Sequence, residues 1–201
     1  MITIWGRLNS HNVKKVAWAA IEMGLAHRRI DMGGAFGFTA EYLALNPNRM
    51  IPTIDDNGFV LWESNAILRY LADAHAPGFR NDDPAERARG DKWMDWQFHF
   101  ADAQRDAFLG CVRQGKDGTD PAVARSAEVA CAMMALLDAE LAVRPWLSGD
   151  RFGIADIPMG VYAHTFYTLA LPRPDLPHLA EWYARLRHRS GYAETVMIPL
   201  T

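Results

Sequence analysis

The chain has 201 residues, half of them hydrophobic, and a formal net charge of −3, which fits a globular protein with one large domain or two small ones. A near-neutral balance without a basic run argues against nucleic acid as the partner. No apolar run approaches the ~18 residues of a membrane span, and the chain begins on a strand-like segment and not on a signal peptide, so we expect neither a membrane partner nor export.

The first third of the chain predicts a small α/β unit. Ile2 to Trp5 favours a strand, and Val13 to Met23 has a helical periodicity that Gly24 ends. A second strand is expected over His27 to Asp31. A glycine-rich loop follows it, and Thr39 is expected to cap the short helix after that loop.

Residues 46–75 predict a turn, a tight hairpin and a helix. Pro52 favours extended backbone at Ile51. Ser64 is expected to cap the helix, with Glu63 beside its positive end. Because a strand end, a hairpin and a helix start leave unpaired N–H groups near one spot, we interpret this corner as a place to hold a small anion.

The remainder of the chain predicts helices only. The breaker-rich residues 77–84 are interpreted as a linker between a first domain at 1–76 and a second at 85–201. The predicted fold class is therefore α/β followed by all-α. Helices are expected from Pro84 onward through the aromatic-rich segment, over Ala122 to Ala142, over Ile154 to Leu171 as the central buried helix, and over Leu176 to Arg189.

The cysteines and histidines favour neither a disulfide nor a metal. Cys111 and Cys131 lie in helical patterns and form no Cys-x-x-Cys pair, and the seven histidines have no metal-ligand spacing. We therefore expect a reduced, cytoplasmic protein without a metal site.

Four motifs occur in order along nearly the whole chain: Ser10 to Val16 at the first helix start; Leu45-Asn46-Pro47 with Ile51 to Ile54; Leu61 to Ser64 with Ala66-Ile67 and Tyr70-Leu71; and Phe152 to Asp156 with Leu179 to Leu186. Together they resemble the cytosolic glutathione transferase family, in particular bacterial, serine-type members of theta-, phi- or nu-like kind. The resemblance implies a thioredoxin-like N-terminal domain, an all-helical C-terminal domain and glutathione as co-substrate. One fold hosts many activities, so the reaction is less strongly specified than the fold.

The resemblance assigns the corner at 46–64 to glutathione. It implies that Pro52 is cis and that the backbone of Ile51 pairs with the cysteinyl backbone of glutathione. Glu63 and Ser64 match the pair that holds the γ-glutamyl end, Glu63 for its ammonium and Ser64 with the helix start for its carboxylate. Ser64 can serve as a helix cap as well.

Two positions depart from the family pattern. Met50 stands where a lysine often precedes the Ile-Pro pair, which leaves the grip on the glycyl carboxylate open, with Arg49 as a substitute. Gly153 replaces the usual Ser or Thr that shares a capping box with Asp156. Glycine is a tolerable cap, and we interpret Asp156 as structural, bonding the backbone at that helix start.

Ser10 and Asn12 are the two candidates for activating glutathione. The thiol is a poor nucleophile with an ordinary pKa near ~8.5, so the chemistry needs its thiolate. Ser10 matches the active serine of theta- and phi-like members, and Asn12 lies where some bacterial members use an asparagine amide. Either would stabilise the sulfur anion by a hydrogen bond and would not act as a base. Both residue types are also common helix caps.

A second substrate, a small hydrophobic electrophile, is expected between the domains. The resemblance also implies a homodimer with the helices from Ser64 and Pro84 at its interface, where Asp95 or Asp102 could reach the partner's glutathione amine. For the aromatic residues of the Pro84 helix, packing in the core or between subunits is the favoured alternative, because they recur at helical spacing. The candidates for the electrophile site are Arg7, Leu8, Phe36, Phe38, Trp96, Phe100 and Arg105.

Three functions are consistent with these residues. The first is a glutathione transferase that conjugates the thiolate to the electrophile. The second is a glutathione-dependent peroxidase or disulfide reductase, favoured by Asn12. No cysteine lies in the first domain, which argues against a glutaredoxin-like mechanism. The third is a non-catalytic binding protein, favoured by the missing cationic grip on the glycyl end.

Overall fold

A four-stranded mixed sheet forms the first part of the computed structural model, which describes all 201 residues. Its strand order is β2-β1-β3-β4, with β2 parallel to β1 and the remaining pairs antiparallel. The hairpin between the last two strands follows from the positive-φ pair Asn57-Gly58. The strands are β1 (Ile2–Trp5), β2 (His27–Ile30), β3 (Thr53–Asp56) and β4 (Phe59–Trp62).

Three helices accompany the sheet: α1 (His11–Glu22), α2 (Ala40–Leu45) and α3 (Ser64–His75). The inner faces of α1 and α3 close a small core with β1 and β3, as their apolar periodicity requires. Thr39 caps α2 as predicted, because its hydroxyl accepts a hydrogen bond from the backbone N–H of Tyr42 at 3.2 Å.

The second part is helical, as expected. Its core of 25 buried residues includes Trp18 of α1 and Leu68 of α3, so the two parts of the chain share that core. The helix α6 is buried along most of its length and is therefore the central one. The helices are α4 (Pro84–Phe108), a π-helical turn at Leu109–Arg113, α5 (Pro121–Leu141), α6 (Asp156–Thr168), α7 (Pro177–Arg187) and α8 (Ser190–Thr195).

Two expected helix boundaries differ from the structure. The central helix ends at Thr168 and not at Leu171, because Leu169 turns to extended backbone ahead of two prolines. The final segment is predicted to be one helix to Arg189, but α7 ends at Arg187 and α8 begins at Ser190 after an extended Arg189.

None of the helices combines the length and the apolar character that a membrane-spanning helix needs.

The expectation that Ser64 caps α3 is wrong. Glu63 is the N-cap residue, at a positive φ of 73°, and no side chain caps this helix. Ser64 is the first helical residue and is 3% exposed. Its hydroxyl therefore points inward, toward Asn12 of α1.

Asp156 has the structural role that its position at a helix start indicates. Its buried carboxylate accepts hydrogen bonds from the backbone N–H groups of Leu147 at 2.8 Å and Gly153 at 3.2 Å, and from the indole of Trp182 at 2.9 Å. These donors tie the turn before α6 to α7.

Candidate functional site

The turn around residue 50 is held in shape by buried side chains. Asn46 is 1% exposed, and its amide donates to the carbonyl of Met50 at 3.1 Å and to the hydroxyl of Thr53 at 3.0 Å. The Tyr42 hydroxyl contacts the same two groups. These bonds hold the chain on both sides of the Ile51–Pro52 peptide bond, which is cis. The backbone of Ile51 is therefore kept in one orientation.

The glycine loop lies against this turn. A Cβ added at Gly33 would lie 3.1 Å from Cδ1 of Ile51 and 3.5 Å from the ring of Phe38. A Cβ added at Gly34 would lie 2.7 Å from Nε of Arg7. The structure thus brings Arg7 and Phe38, both predicted as site residues, to the same wall as Ile51, and the positive φ of the two glycines would strain any larger residue there.

The start of α3 meets the start of α1. The Ser64 hydroxyl donates a hydrogen bond to the amide oxygen of Asn12 over 3.3 Å, although 52 positions separate the two residues. The first N–H groups of α3 have no partner within the helix, and the helix dipole favours an anion there. Glu63 precedes this turn with its side chain exposed. A carboxylate and an ammonium of one ligand can therefore both find partners at this place.

Ser10 and Asn12 both present donors at the start of α1. Ser10 is the N-cap residue by its backbone, but its side chain makes no capping hydrogen bond, and the residue is half-buried. The amide oxygen of Asn12 is engaged by Ser64, which leaves its amide nitrogen as the free end. An anionic sulfur near this helix start would meet an O–H and an N–H donor.

A fully buried lysine lies beneath the contact between the two helix starts. The ammonium of Lys15 donates to the Ser64 hydroxyl at 3.4 Å, to the Asn65 amide oxygen at 3.5 Å and to the amide oxygen of Gln97. Burial lowers the pKa of Lys15 to about 7, against the opposing charge of Glu63, which raises it. The residue is therefore close to its protonation midpoint at neutral pH.

A cleft of about 260 Å³ opens between α1, α4 and α6. His11 forms one wall: its ring stacks on Tyr162 at 4.7 Å and meets the edge of Phe108 at 5.1 Å. Burial lowers the pKa of His11 to about 3, so the imidazole is neutral at pH 7. The cleft is lined by His11, Ala101, Asp102, Gln104, Arg105, Phe108, Leu109 and Tyr162.

Of the three α4 residues expected at the electrophile site, Trp96, Phe100 and Arg105, only Arg105 lines this cleft. Phe100 is 0% exposed in the shared core and does not line this cleft. Its ring packs against Tyr162 at 6.0 Å and Trp96 at 6.1 Å, and Trp96 itself packs on the core. The aromatic stripe of α4 is therefore mainly core packing.

Other predicted site residues lie at the surface. Phe36 is 59% and Met50 60% exposed, and Leu8 is half-buried. Arg49 is exposed at a positive φ of 57° and forms no ion pair within the chain.

The two acidic residues considered on α4 differ in their surroundings. Asp95 is paired with Arg69 of α3 at 2.8 Å, whereas Asp102 lines the cleft beside His11 and Arg105. Asp95 thus already has a cationic partner in its own chain.

Sequence reasoning missed three site residues, namely His11, Lys15 and Tyr162. Lys15 follows Asn12 by three positions, which places both on one face of α1, and His11 and Lys15 are likewise four apart. That spacing indicates the shared face. Tyr162 lies on a helix that is apolar all round, and nothing in the sequence marks its outward direction.

Two family models match the chain. The glutathione S-transferase N-terminal domain matches residues 9–74, and the glutathione S-transferase C-terminal domain matches residues 120–185.

Individual relatives span the whole chain. It is 40% identical to glutathione S-transferase GstB of Escherichia coli over 208 residues, covering 100% of both proteins. A theta-class glutathione S-transferase from Xanthomonas axonopodis pv. citri, solved with glutathione bound, superposes with a TM-score of 0.93 at 48% identity, covering 100% of this chain and 99% of the other. The disulfide-bond oxidoreductase YfcG of E. coli is 27% identical, with 84% of this chain and 81% of YfcG covered. The likeness confirms the predicted fold class, a thioredoxin-like part followed by helices.

Proposed function

The chain belongs to the glutathione S-transferase family, and we propose that it is an enzyme that holds glutathione as a thiolate and transfers it to a hydrophobic electrophile. The observation that carries the proposal is the 3.3 Å contact between Asn12 and Ser64. It brings the donors at the start of α1 to the anion-favouring start of α3. A peptide that spans these two places has its carboxylate at one and its sulfur at the other.

Glutathione is held along its length by three parts of the site. Its cysteinyl backbone pairs with the backbone of Ile51, which the buried Asn46 keeps in place. Its γ-glutamyl carboxylate lies at the first turn of α3 with Ser64, and its ammonium faces Glu63. Its glycyl carboxylate lies near the exposed Arg49.

The start of α1 stabilises the thiolate. The hydroxyl of Ser10 and the amide nitrogen of Asn12 are donors without partners in the chain, and a hydrogen bond to the charged form lowers the pKa of a thiol. A lower pKa raises the fraction of thiolate at neutral pH, and the thiolate is the nucleophile. Neither residue removes the proton, which leaves to solvent.

The electrophile occupies the cleft beside His11. Aromatic walls and a neutral imidazole suit an apolar ring. The sulfur attacks the electrophilic carbon, a carbon–sulfur bond forms, and the leaving group departs with the electron pair of the bond that breaks. Arg105 at the cleft is placed to stabilise an anionic leaving group.

We also propose a homodimer. Large apolar side chains are exposed at the end of β4 and on α4, where Trp62 is 40% and Phe98 43% exposed, and such side chains favour association. Light scattering of the purified chain tests this, and a monomer at micromolar concentration contradicts it.

We propose the cytoplasm as the compartment, because both cysteines are unpaired, as is usual in a reducing environment.

One set of measurements tests the transferase function. The protein is passed over immobilised glutathione and then assayed with glutathione and a chlorinated aromatic electrophile. We expect retention and conjugation, and a large loss of conjugation in the double variant Ser10→Ala/Asn12→Ala. Failure of the wild-type chain to bind glutathione, or an unchanged rate in the double variant, contradicts the proposal.

A second candidate is glutathione-dependent reduction of disulfides or peroxides. It is favoured by the likeness to YfcG, which is named a disulfide-bond oxidoreductase, and by the free amide of Asn12. The same preparation is assayed with a mixed disulfide and with peroxide. Activity on these substrates without conjugation favours this candidate, and glutathione binding without any of these activities favours a non-catalytic binding protein.

A further inference from the structure

The buried lysine beside the proposed glutathione site has no part in the mechanism described so far. Lys15 is 0% exposed and forms no ion pair with any carboxylate of the chain. All three of its hydrogen-bond partners are neutral oxygens, on Ser64, Asn65 and Gln97. A buried cation without a counter-charge is costly, and such residues often belong to functional sites.

The directions of the hydrogen bonds around Lys15 are determined by its chemistry. In its charged form Lys15 has three N–H donors and no acceptor, and it has three oxygen partners here. The Ser64 oxygen therefore accepts from Lys15, and the Ser64 hydroxyl proton is directed to the amide oxygen of Asn12 at 3.3 Å. With its oxygen engaged, Asn12 has its amide N–H group free. We call this chain of hydrogen bonds the Lys15–Ser64–Asn12 relay.

We propose that Lys15 is a positioning residue for glutathione: through the relay it turns the N–H end of Asn12 toward the sulfur, and its charge lies beneath the γ-glutamyl carboxylate. This inference rests on the proposed function, because it uses the placement of glutathione given there. Lys15 touches neither the sulfur nor the electrophile, so it acts through Ser64 and Asn12.

No carboxylate of the chain forms an ion pair with Lys15, so its charge can attract a negatively charged ligand group. The rings of Phe98 and Tyr162 lie 5.5 and 5.7 Å from the ammonium, and these faces favour a cation. Among the titratable neighbours, Glu63 at the start of α3 attracts the charge, and His11 is neutral at pH 7 because burial lowers its pKa to about 3. Lys14 turns away to the carbonyl of Val196 at 3.0 Å.

Two measurements distinguish a positioning role of Lys15 from a purely structural one. The affinity for S-methylglutathione, which has no thiol, reports the carboxylate end of the site. The ultraviolet absorbance of the thiolate, titrated with glutathione bound, reports the pKa of the bound thiol. We expect Lys15→Met to weaken S-methylglutathione binding roughly tenfold and to raise the pKa of the bound thiol by about one unit. Lys15→Arg is expected to recover part of both.

Lys14→Met is the matched control, because Lys14 is also buried but donates to the carbonyl of Val196 and not to the relay; we expect both readouts to keep their wild-type values. If Lys15→Met does not fold, Ser64→Ala breaks the same relay and is expected to raise the pKa of the bound thiol. A folded Lys15→Met with wild-type values, or Ser64→Ala with an unchanged thiol pKa, overturns the role of Lys15. If the wild-type chain itself does not bind S-methylglutathione, the proposed function fails, and this inference fails with it.

Discussion

The hydroxyl of Ser148 accepts a hydrogen bond from the backbone N–H of Ala155 over 3.1 Å. It thereby satisfies a donor at the start of α6, where the family pattern has the hydroxyl of a Ser or Thr at position 153. Gly153 leaves room for this arrangement, because a Cβ there would lie 2.8 Å from Oγ of Ser148 and 2.5 Å from the carbonyl oxygen of Phe79. The missing capping side chain is replaced by one from the preceding turn.

Gly153→Ser is therefore expected to destabilise the protein, although serine is ordinarily a good helix cap. The new Cβ meets backbone that has little room to move, and overpacking of this kind costs roughly 1–3 kcal/mol. Urea unfolding measures the change. Gly78→Ser is the control, since nothing lies within 4 Å of a Cβ there, and it is expected to stay within about 0.5 kcal/mol of wild type. A Gly153→Ser variant more stable than wild type contradicts the role assigned to Ser148.

Asn46→Ala is expected to weaken both stability and glutathione binding. The substitution removes two hydrogen bonds to buried partners, which costs roughly 1–3 kcal/mol, and leaves the Tyr42 hydroxyl as the remaining side-chain contact that holds the backbone at Ile51. We expect an affinity for glutathione roughly tenfold weaker by calorimetry. Asn48→Ala is the control, because Asn48 is exposed and only its backbone N–H is bonded in this turn. Wild-type affinity in a folded Asn46→Ala variant would show that the turn does not hold glutathione.

Ser10→Ala is expected to affect turnover alone, whereas Asn12→Ala is expected to affect both turnover and glutathione binding. The Ser10 hydroxyl makes no capping bond, so its loss lowers kcat with little change in the affinity for glutathione. Asn12→Ala also removes the partner of Ser64, so it weakens binding as well as turnover, each effect on the order of tenfold or more. Steady-state kinetics with calorimetry distinguish the two. Unchanged binding in Asn12→Ala together with weakened binding in Ser10→Ala would reverse these assignments.

Local chemistry was enough to predict most elements of the fold. Thr39 marks the start of α2, because its hydroxyl accepts from the N–H three residues on, and Pro84 marks the start of α4, because its fixed φ suits the first helical turn. The turn and hairpin at 46–64 could also be predicted, since turn-favouring residues and a proline follow one another in the sequence. Such features involve neighbours in the chain and need no tertiary contact.

Sequence reasoning fails at residues whose environment is determined by contacts with residues far away in the chain. Ser64 is a good cap by type, but Asn12 and Lys15 from another helix take its hydroxyl, and Glu63 becomes the N-cap residue at a positive φ. Phe100 was a candidate for the electrophile site, yet it is fully buried and packs against Tyr162 of α6. Periodicity gives the face of a helix and not the element that packs against that face.

The stability of the protein is expected to rise with pH above neutrality because of two buried lysines. Burial lowers the pKa of Lys15 to about 7 and that of Lys14 to about 8, from an ordinary value of 10.5. Between these values and 10.5 the unfolded chain binds more protons than the folded chain, so the free energy of unfolding increases with pH in that window. Below pH 7 both lysines are charged in the folded state, and this burial cost is present in full.

Lys15→Met removes one of these groups and is expected to flatten the pH dependence. For a folded pKa near 7, the wild-type chain should gain at most about 2 kcal/mol more than the variant between pH 7 and pH 9, measured by urea unfolding at both values. Lys92→Met, at an exposed lysine, is the control and should keep the wild-type slope. An equal slope in Lys15→Met and wild type would mean that Lys15 keeps its charge throughout this range. The bonds from its ammonium to Ser64 and Gln97 would then fully offset its burial.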